Sequence, residues 1–455
     1  MKQAIARDGA PTVEALIDAA PISRLQIAAI VLCVLASVLD GFDTQSIAFV
    51  APAISAQWSV SQLEFGFVFS ATLLGSVIGS AVFGIMADRI GRRRLIIATT
   101  AMFGLFSAAC ALAANFEQLL AFRFLGGLGM GGLIPNMLAL AAEYAPRRVR
   151  ATIVTGVLWG FPFGAVLGGI VSAPLLEQAG WRAIFWLGAA APALLALAMI
   201  PLMPESLRYL SLDPRKRAQV VGLLRRIAPQ QADEVVIEAR QAERARPGVA
   251  QLFTADLAVP TVILSISLFL SLFLTYALIN WVPTLLTRSG LSMSSAILGA
   301  VALNFGGIVG SAFFSWGLDR VARPALLLAA GYGAAAGMIA LTSLGGGSPV
   351  VALTLLLLCG VFQIGAQLSL TAYTTAIFPV RLRGTGIGFV QAVGRTGSLI
   401  GPVVGGLLLS LGVQPNEMLL LSVIPAGLCG LALLLLGAIR RSERGERTST
   451  MEERQ

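Results

Sequence analysis

The sequence predicts an all-α membrane protein with twelve transmembrane helices in two pseudo-symmetric six-helix bundles. Three observations predict it: an apolar fraction of 56% over 455 residues, twelve apolar runs of membrane-spanning length, and charged loop motifs that recur in the second half of the chain. A water-soluble domain of this size needs far more polar surface than a charged fraction of 12% supplies. The composition therefore argues against a soluble enzyme.

The apolar runs set the predicted spans, since a helix needs about 20 residues to cross a bilayer. They lie near 25–51, 62–87, 95–114, 118–144, 151–176, 182–203, 257–287, 292–316, 325–344, 349–378, 385–412 and 416–439. The first run contains acidic residues and lacks a small-residue cleavage pattern, so we do not interpret it as a signal peptide. The predicted organisation is a tail (1–24), a first bundle (25–203), a charged connector (204–256), a second bundle (257–439) and a second tail (440–455).

The basic residues predict the orientation. Of the 32 Lys and Arg, 28 fall in the two tails, the connector and the even-numbered loops. Arg182 and Arg288 lie at span ends on the opposite side, and Arg123 and Arg395 lie inside spans. Cytoplasmic loops carry an excess of Lys and Arg, so we expect a multi-pass protein of the plasma (inner) membrane with both termini cytoplasmic. The net charge of +9 is a topology signal here, and we expect no nucleic-acid partner.

The two halves of the chain repeat each other at two loops. When Ser80 is aligned with Ser311, the loop after the second span of each half matches: Asp88, Arg89 and Arg92 against Asp319, Arg320 and Arg323. A register two residues longer sets Pro146, Arg148, Arg150 and Thr152 against Pro379, Arg381, Arg383 and Thr385. An internal repeat of this kind is typical of transporters.

Four charged side chains lie within the predicted spans: Asp40, Asp43, Arg123 and Arg395. Each costs about 2.5 to 3.5 kcal/mol on insertion scales, so each requires a reason. Asp40 and Asp43 are three residues apart and share a helix face. One interpretation is a structural clamp between an Asp and Arg123. The other is that the Asp pair accepts a proton, because burial favours a neutral carboxyl group, while the Arg residues bind a carboxylate through paired hydrogen bonds.

Polar and aromatic residues near mid-depth are candidates for the lining of a substrate cavity. Each is also compatible with hydrogen bonding between helices or with membrane-interface packing. They are Gln45, Asn136, Trp159, Asn280, Trp281, Asn304, Gln363, Gln367, Tyr373 and Gln391. Gln363 and Gln367 are four residues apart, so both can face one cavity.

Two motifs carry a resemblance over nearly the whole chain. G-I-M-A-D-R-I-G-R-R-R at 84–94 resembles the loop signature of the major facilitator superfamily, and P-E-S-L-R at 204–208 is similar to the segment that ends the sixth span in several of its families. D-G-F-D-T-Q at 40–45 resembles the first-span signature of the aromatic acid:proton symporters. This resemblance implies a secondary importer that moves a small aromatic carboxylate, such as benzoate or a hydroxybenzoate, together with a proton by alternating access.

The resemblance also implies roles for particular residues. Asp40, Asp43 and Arg123 match positions that the symporter family requires, and Arg395 resembles its eleventh-span Arg. The charged loops are interpreted as a gate that latches the two bundles, the alternative being ordinary surface ion pairs. The gating candidates are Asp88, Arg89, Arg92, Glu143, Arg150, Asp319 and Arg320.

Two other functions stay open. G-F-D-T also resembles a first-span segment of sugar porters, which makes a proton-coupled sugar or polyol porter the alternative, although the seventh span lacks the paired Gln expected there. A membrane receptor that does not transport is the third hypothesis. The chain has no His and no G-x-x-x-x-G-K-[ST] motif, so we expect no metal, no cofactor and no ATP-driven step. The expected partners are the aromatic acid, the proton and membrane lipid, with the monomer as the functional unit.

Overall fold

The computed structural model describes residues 12–229, 248–344, 348–379 and 381–452, and over these ranges the regular structure is helical. Twelve helices there are long and apolar enough to cross a membrane, which confirms the predicted fold class. A short helix, α1 (Val13–Ala19), precedes the first six spanning helices. These are α2 (Arg24–Trp58), α3 (Gln62–Ile90), α4 (Arg92–Leu112), α5 (Phe116–Tyr144), α6 (Arg147–Ala179) and α7 (Trp181–Leu202).

The connector contributes two short helices, α8 (Leu207–Ser211) and α9 (Arg217–Arg225). The second six spans begin with α10 (Ala255–Arg288), α11 (Met293–Leu318), α12 (Pro324–Leu344), α13 (Pro349–Ile377) and α14 (Arg383–Ser410). The last span is formed by α15 (Pro415–Leu421) and α16 (Val423–Glu452) together. Large apolar side chains such as Leu112 and Leu194 are about two-thirds exposed on the outer faces of these helices, as expected for surfaces that lipid covers.

Local chemistry explains where several helices begin. The side chains of Asn115 and Ser292 accept hydrogen bonds from backbone N–H groups in the first turns of α5 and α11, which satisfies donors that a helix leaves free. Gly91 links α3 to α4 with φ of 95°. Side chains other than glycine rarely adopt that conformation, so the sharp turn at this loop depends on the glycine.

The helix starts repeat along the chain. The first two spans of each half begin at Arg24 and Gln62 and at Ala255 and Met293, a constant separation of 231 residues. The fourth spans begin at Phe116 and Pro349, a separation of 233 residues. The sequence registers of 231 and 233 residues at the two loop motifs are therefore those of the helices themselves.

The described chain divides into two compact units. The first includes Ala71–Gly168, and the second includes Ile47–Ser70, Gly169–Gln178 and the C-terminal half. One core cluster joins the α1 residues Leu16 and Ile17 to spanning helices and to Val220 and Leu224 of α9. A second cluster is formed by α10, α12, α13, α14 and α16. The domain boundaries predicted from the sequence stay a prediction.

The four cysteines lie inside spanning helices and are reduced. Cys33 and Cys429 are fully buried, and Cys110 and Cys359 are 1% exposed. They behave as small apolar side chains of the core, as the sequence predicted.

Candidate functional site

The first unit contains a buried ion pair between α2 and α5. Arg123 Nη1 donates to Asp43 Oδ2 at 3.0 Å, and Arg123 Nη2 donates to the backbone oxygen of Asp43, also at 3.0 Å. Arg123 Nε donates to Thr72 Oγ1 on α3 at 3.2 Å. Asp43 and Arg123 are each 2% exposed. The guanidinium therefore engages one carboxylate oxygen, one carbonyl and one hydroxyl, each from the protein itself.

Asp43 has one carboxylate oxygen to spare. Among the described residues, no hydrogen-bond donor reaches Asp43 Oδ1, although the oxygen is buried. An unsatisfied buried acceptor costs roughly 1 to 3 kcal/mol, and more on a charged group. The carboxyl group therefore has a site where a proton would relieve a cost.

Close packing of α2 against α6 fixes the position of the two acids. A Cβ on Gly41, between Asp40 and Asp43, would collide with the backbone carbonyl of Phe161 on α6. Gly164 on α6 meets the carbonyl of Val38 in the same way. These glycines let the two backbones touch, so the turn of α2 that carries both acids is held rigidly. Asp40 and Gln45 are each 2% exposed within the same unit.

Three of the predicted lining residues are tied to their own helices. Asn136, Asn280 and Asn304 each donate from Nδ2 to the carbonyl four residues earlier, at 2.7, 2.8 and 2.9 Å. All three are buried, with at most 6% of their surface exposed. Their oxygens can still accept a hydrogen bond, but one donor of each amide is already used by the backbone.

The predicted aromatic residues occupy different environments. Trp281 is fully buried: its Nε1 donates to the carbonyl of Pro402 at 2.9 Å, and its ring meets Phe69 edge-on at 5.2 Å. Tyr373 is 7% exposed and belongs to the second core cluster. Trp159 is 37% exposed. Trp281 thus has a complete set of packing and hydrogen-bonding partners within the second unit.

The remaining predicted residues of the second unit lie on α13 and α14. Gln363 is fully buried, Gln367 is 9% exposed, and Gln391 Nε2 donates to Thr371 Oγ1 at 3.4 Å. Arg395 is the thirteenth residue of α14 and is exposed at mid-length of this helix. A guanidinium at that depth is compatible with contact to water and is costly against lipid.

The loop residues predicted to form a gate make a network within the first unit. Arg92 at the start of α4 forms an ion pair with Glu143 near the end of α5. The other carboxylate oxygen of Glu143 accepts from Ser206 Oγ at 2.7 Å. Glu205 accepts from the backbone N–H of Arg93 at 3.0 Å. The P-E-S-L-R segment therefore joins the ends of α4 and α5.

Other gating candidates have separate contacts. Arg150 Nε donates to the carbonyl of Ala145 at 3.2 Å, and the carbonyl of Arg89 accepts from Tyr209 at 3.3 Å. Arg320 stacks on the ring of Trp316, with 4.5 Å between the guanidinium carbon and the ring centroid. Asp88 and Asp319 are exposed at helix ends. Within the part of the chain that the structure describes, no hydrogen bond or ion pair draws these residues into the Arg92–Glu143 network.

The chain matches the Major Facilitator Superfamily over residues 33–397. It belongs to this superfamily. The superfamily member shares 35% identity with the 4-hydroxybenzoate transporter PcaK of Pseudomonas aeruginosa, over 95% of this chain and 97% of the relative. It shares 33% identity with a gallate transporter of Pseudomonas putida, over 93% and 94% of the two chains. It shares 30% identity with a benzoate transport protein of Acinetobacter baylyi, over 95% and 94%.

Solved structures of the superfamily share the fold. A D-xylose-proton symporter has a TM-score of 0.66 at 18% identity, over 90% of this chain and 97% of the symporter. At that identity the likeness concerns the fold alone. With the homologues above, it makes this superfamily member a multi-pass membrane transport protein, which confirms the recognition made from the loop motifs.

The structure of this superfamily member adds residues that sequence motifs did not indicate. Thr72 completes the donor set of Arg123. Tyr144 donates to the carbonyl of Glu205 at 2.7 Å, and Arg147 pairs with Glu14 and Asp18 of α1 at 2.9 and 3.2 Å. A hydroxyl in an apolar run and an acid in a polar tail carry no signal that distinguishes them from their neighbours.

Proposed function

We propose that this protein is a proton-coupled importer of small aromatic carboxylates that works by alternating access. The relatives named above are transporters of 4-hydroxybenzoate, gallate and benzoate at 30–35% identity over nearly the whole chain. A carrier of this kind moves its solute unchanged, so we propose no enzymatic reaction. The proposed location is the inner membrane with both termini cytoplasmic, from the distribution of Lys and Arg.

One observation carries the coupling: Arg123 is neutralised by Asp43, inside the protein, with Asp43 Oδ1 left over. A buried guanidinium needs one anion at a time. When a proton neutralises the acid pair, Asp43 no longer balances Arg123, and a substrate carboxylate takes its place with paired hydrogen bonds. The buried charge is then the same before and after binding, so anion and proton enter together. Asp40 and Asp43 are treated as a coupled pair that shares this proton.

Arg395 is the second guanidinium available to the solute. It is exposed on α14 and lacks an acid partner among the ion pairs of the described residues. A cation without a protein anion beside it attracts a carboxylate over a longer range than Arg123 does. We propose that Arg395 draws the anion in and that Arg123 holds it.

The test is uptake of radiolabelled 4-hydroxybenzoate by purified protein in liposomes with an imposed pH gradient. We expect accumulation that collapses with a protonophore. Arg123→Gln should reduce uptake about 10- to 100-fold, the value of a charge-assisted hydrogen-bonded contact, and Asp43→Asn should remove the dependence on the gradient. Arg288→Gln is the matched control, because Arg288 is exposed at the end of α10 and should keep normal uptake.

Competing solutes separate the proposal from its alternative. Excess benzoate should inhibit uptake, and excess D-xylose should leave it unchanged. A thermal-shift screen of the detergent-purified protein against benzoates, sugars and amino acids gives an independent readout, since a bound ligand raises the unfolding temperature. Stabilisation by sugars alone, or full uptake by Arg123→Gln, contradicts the proposal.

A further inference from the structure

A buried polar network lies in the second unit between α10, α12, α13 and α16. The hydroxyl groups of Ser271 and Tyr332 are 2.6 Å apart, and Cys429 donates to the carbonyl of Ser267 at 3.3 Å. Gln363 on α13 joins this network, as its Nε2 lies 3.3 Å from both the carbonyl of Ser271 and Thr275 Oγ1. All of these side chains except that of Thr275, which is 3% exposed, are at most 1% exposed.

The amide oxygen of Gln363 is the unsatisfied member of this network. Because Nε2 donates to the α10 residues, the amide orientation is fixed and Oε1 points away from those two acceptors. Among the described residues, no donor reaches Gln363 Oε1, although Gln363 is fully buried. Buried polar groups nearly always have a partner, and one without it calls for a partner that comes from outside the protein.

The internal repeat places this acceptor opposite the ionic cluster of the first unit. Asp40 and Ser271 are each the seventeenth residue of α2 and α10, the first spans of their halves. Gln363 is the fifteenth residue of α13, and Arg123 is the eighth residue of α5, the corresponding fourth span. The helix pair that carries acids and a guanidinium in the first half thus carries neutral hydroxyl and amide groups in the second.

Gln367 extends the feature along one face of α13. It follows Gln363 by one turn, so the two side chains are neighbours. Gln363 is fully buried, whereas Gln367 retains 9% of its surface. The amide face therefore runs from the sealed network toward accessible space, which is the geometry of a subsite that a small solute reaches from one side.

We propose that Gln363 Oε1 accepts a hydrogen bond from a ring hydroxyl of the solute, which makes Gln363 the residue that selects hydroxylated aromatic carboxylates. This inference rests on the proposed function and adds the class of ring. A phenolic hydroxyl is a strong donor, and Oε1 is an acceptor that the described part of the protein leaves empty. A site built to hydrogen-bond a hydroxyl discriminates strongly against the analogue without it, because the buried group is then left unpaired.

The test compares uptake of 4-hydroxybenzoate and benzoate by the same liposome preparation. In the unmodified protein we expect a higher kcat/KM for the hydroxylated acid. Gln363→Met keeps the shape of the side chain and removes the acceptor, so the ratio of the two kcat/KM values should fall about tenfold while benzoate transport stays within about twofold. Gln363→Glu, neutral when buried, retains an acceptor oxygen and should keep the preference.

A second variant and a second readout guard against misfolding. Gln363→Asn keeps an amide but withdraws its oxygen by one methylene, and it should lower the same ratio if Gln363→Met cannot be purified. The extra thermal stabilisation that 4-hydroxybenzoate gives over benzoate should disappear in either variant. An unchanged ratio and unchanged stabilisation in a folded variant overturn the inference, since a water molecule then occupies the site. Absence of uptake of both acids by the unmodified protein would instead refute the proposed function.

Discussion

Asp43 is where the chemistry of a single residue decides between the two interpretations of the first-span acids. The sequence predicted acids and a guanidinium in one membrane depth, and the structure pairs Asp43 with Arg123. It could not indicate which Asp takes the Arg, because residues three apart share a helix face and differ only in rotation. The structural clamp and the coupling site turn out to use the same atoms, so stability and transport must both respond to mutation.

At the residue scale, Asp43→Asn should destabilise the protein by roughly 3 kcal/mol, because Arg123 is left as a buried cation without an anion. The measurement is the unfolding temperature in detergent, without ligand. Asp43→Asn combined with Arg123→Gln should recover much of the loss, since both charges are then absent.

The matched control for that experiment is the exposed pair between Arg147 and α1. Asp18 and Arg147 have side-chain exposures of 26% and 62%, and exposed ion pairs contribute about 0 to 1 kcal/mol. Asp18→Asn should therefore change the unfolding temperature far less than Asp43→Asn. Equal effects of the two variants would show that burial does not set the strength of the Asp43–Arg123 pair.

At the scale of elements, the crossing of α2 and α6 depends on residues without side chains. A methyl group on Gly164 would collide with the Val38 carbonyl, whereas one on Gly156, two turns earlier on the same helix, would have no neighbour within 4 Å among the described residues. Gly164→Ala should force α6 away from α2, lowering both thermal stability and uptake. Gly156→Ala should be neutral or slightly stabilising, because alanine has the higher helix propensity. Similar losses in both variants would contradict the role of the close crossing.

Helix number was predictable from apolar runs, but helix ends were not. The first run was predicted at 25–51, whereas α2 continues to Trp58, past Pro52. Hydropathy detects the part of a helix that lipid covers, and the end of a long helix can continue as polar turns. The last span was predicted as one run, yet it is divided between α15 and α16 at Ser422, a break that leaves the hydropathy unchanged.

The candidate site was predictable in residue type more than in partners. Asn136, Asn280 and Asn304 were polar residues in apolar runs, which fits either a ligand or a helix contact. The structure shows a third arrangement, in which each amide binds its own helix backbone. Such bonds depend on the side-chain rotamer, which a sequence pattern does not contain.

At the scale of the whole molecule, the repeat of helix starts and the placement of basic residues together fix a topology that can be tested. A fluorescent protein fused after Gln455 should fluoresce in the cytoplasm. Alkaline phosphatase fused in the loop at Asn115, between α4 and α5, should be active outside the membrane, because that loop lacks Lys and Arg. The opposite pattern in the two fusions would reverse the proposed orientation.

The burial of Cys33, Cys110, Cys359 and Cys429 has a practical consequence for following the transport cycle. Thiol reagents attack accessible thiolates, so the native chain should stay dark to a maleimide dye. One engineered thiol, placed where motion uncovers it, would then report its own exposure in real time against a silent background, with the wild-type cysteines left in place.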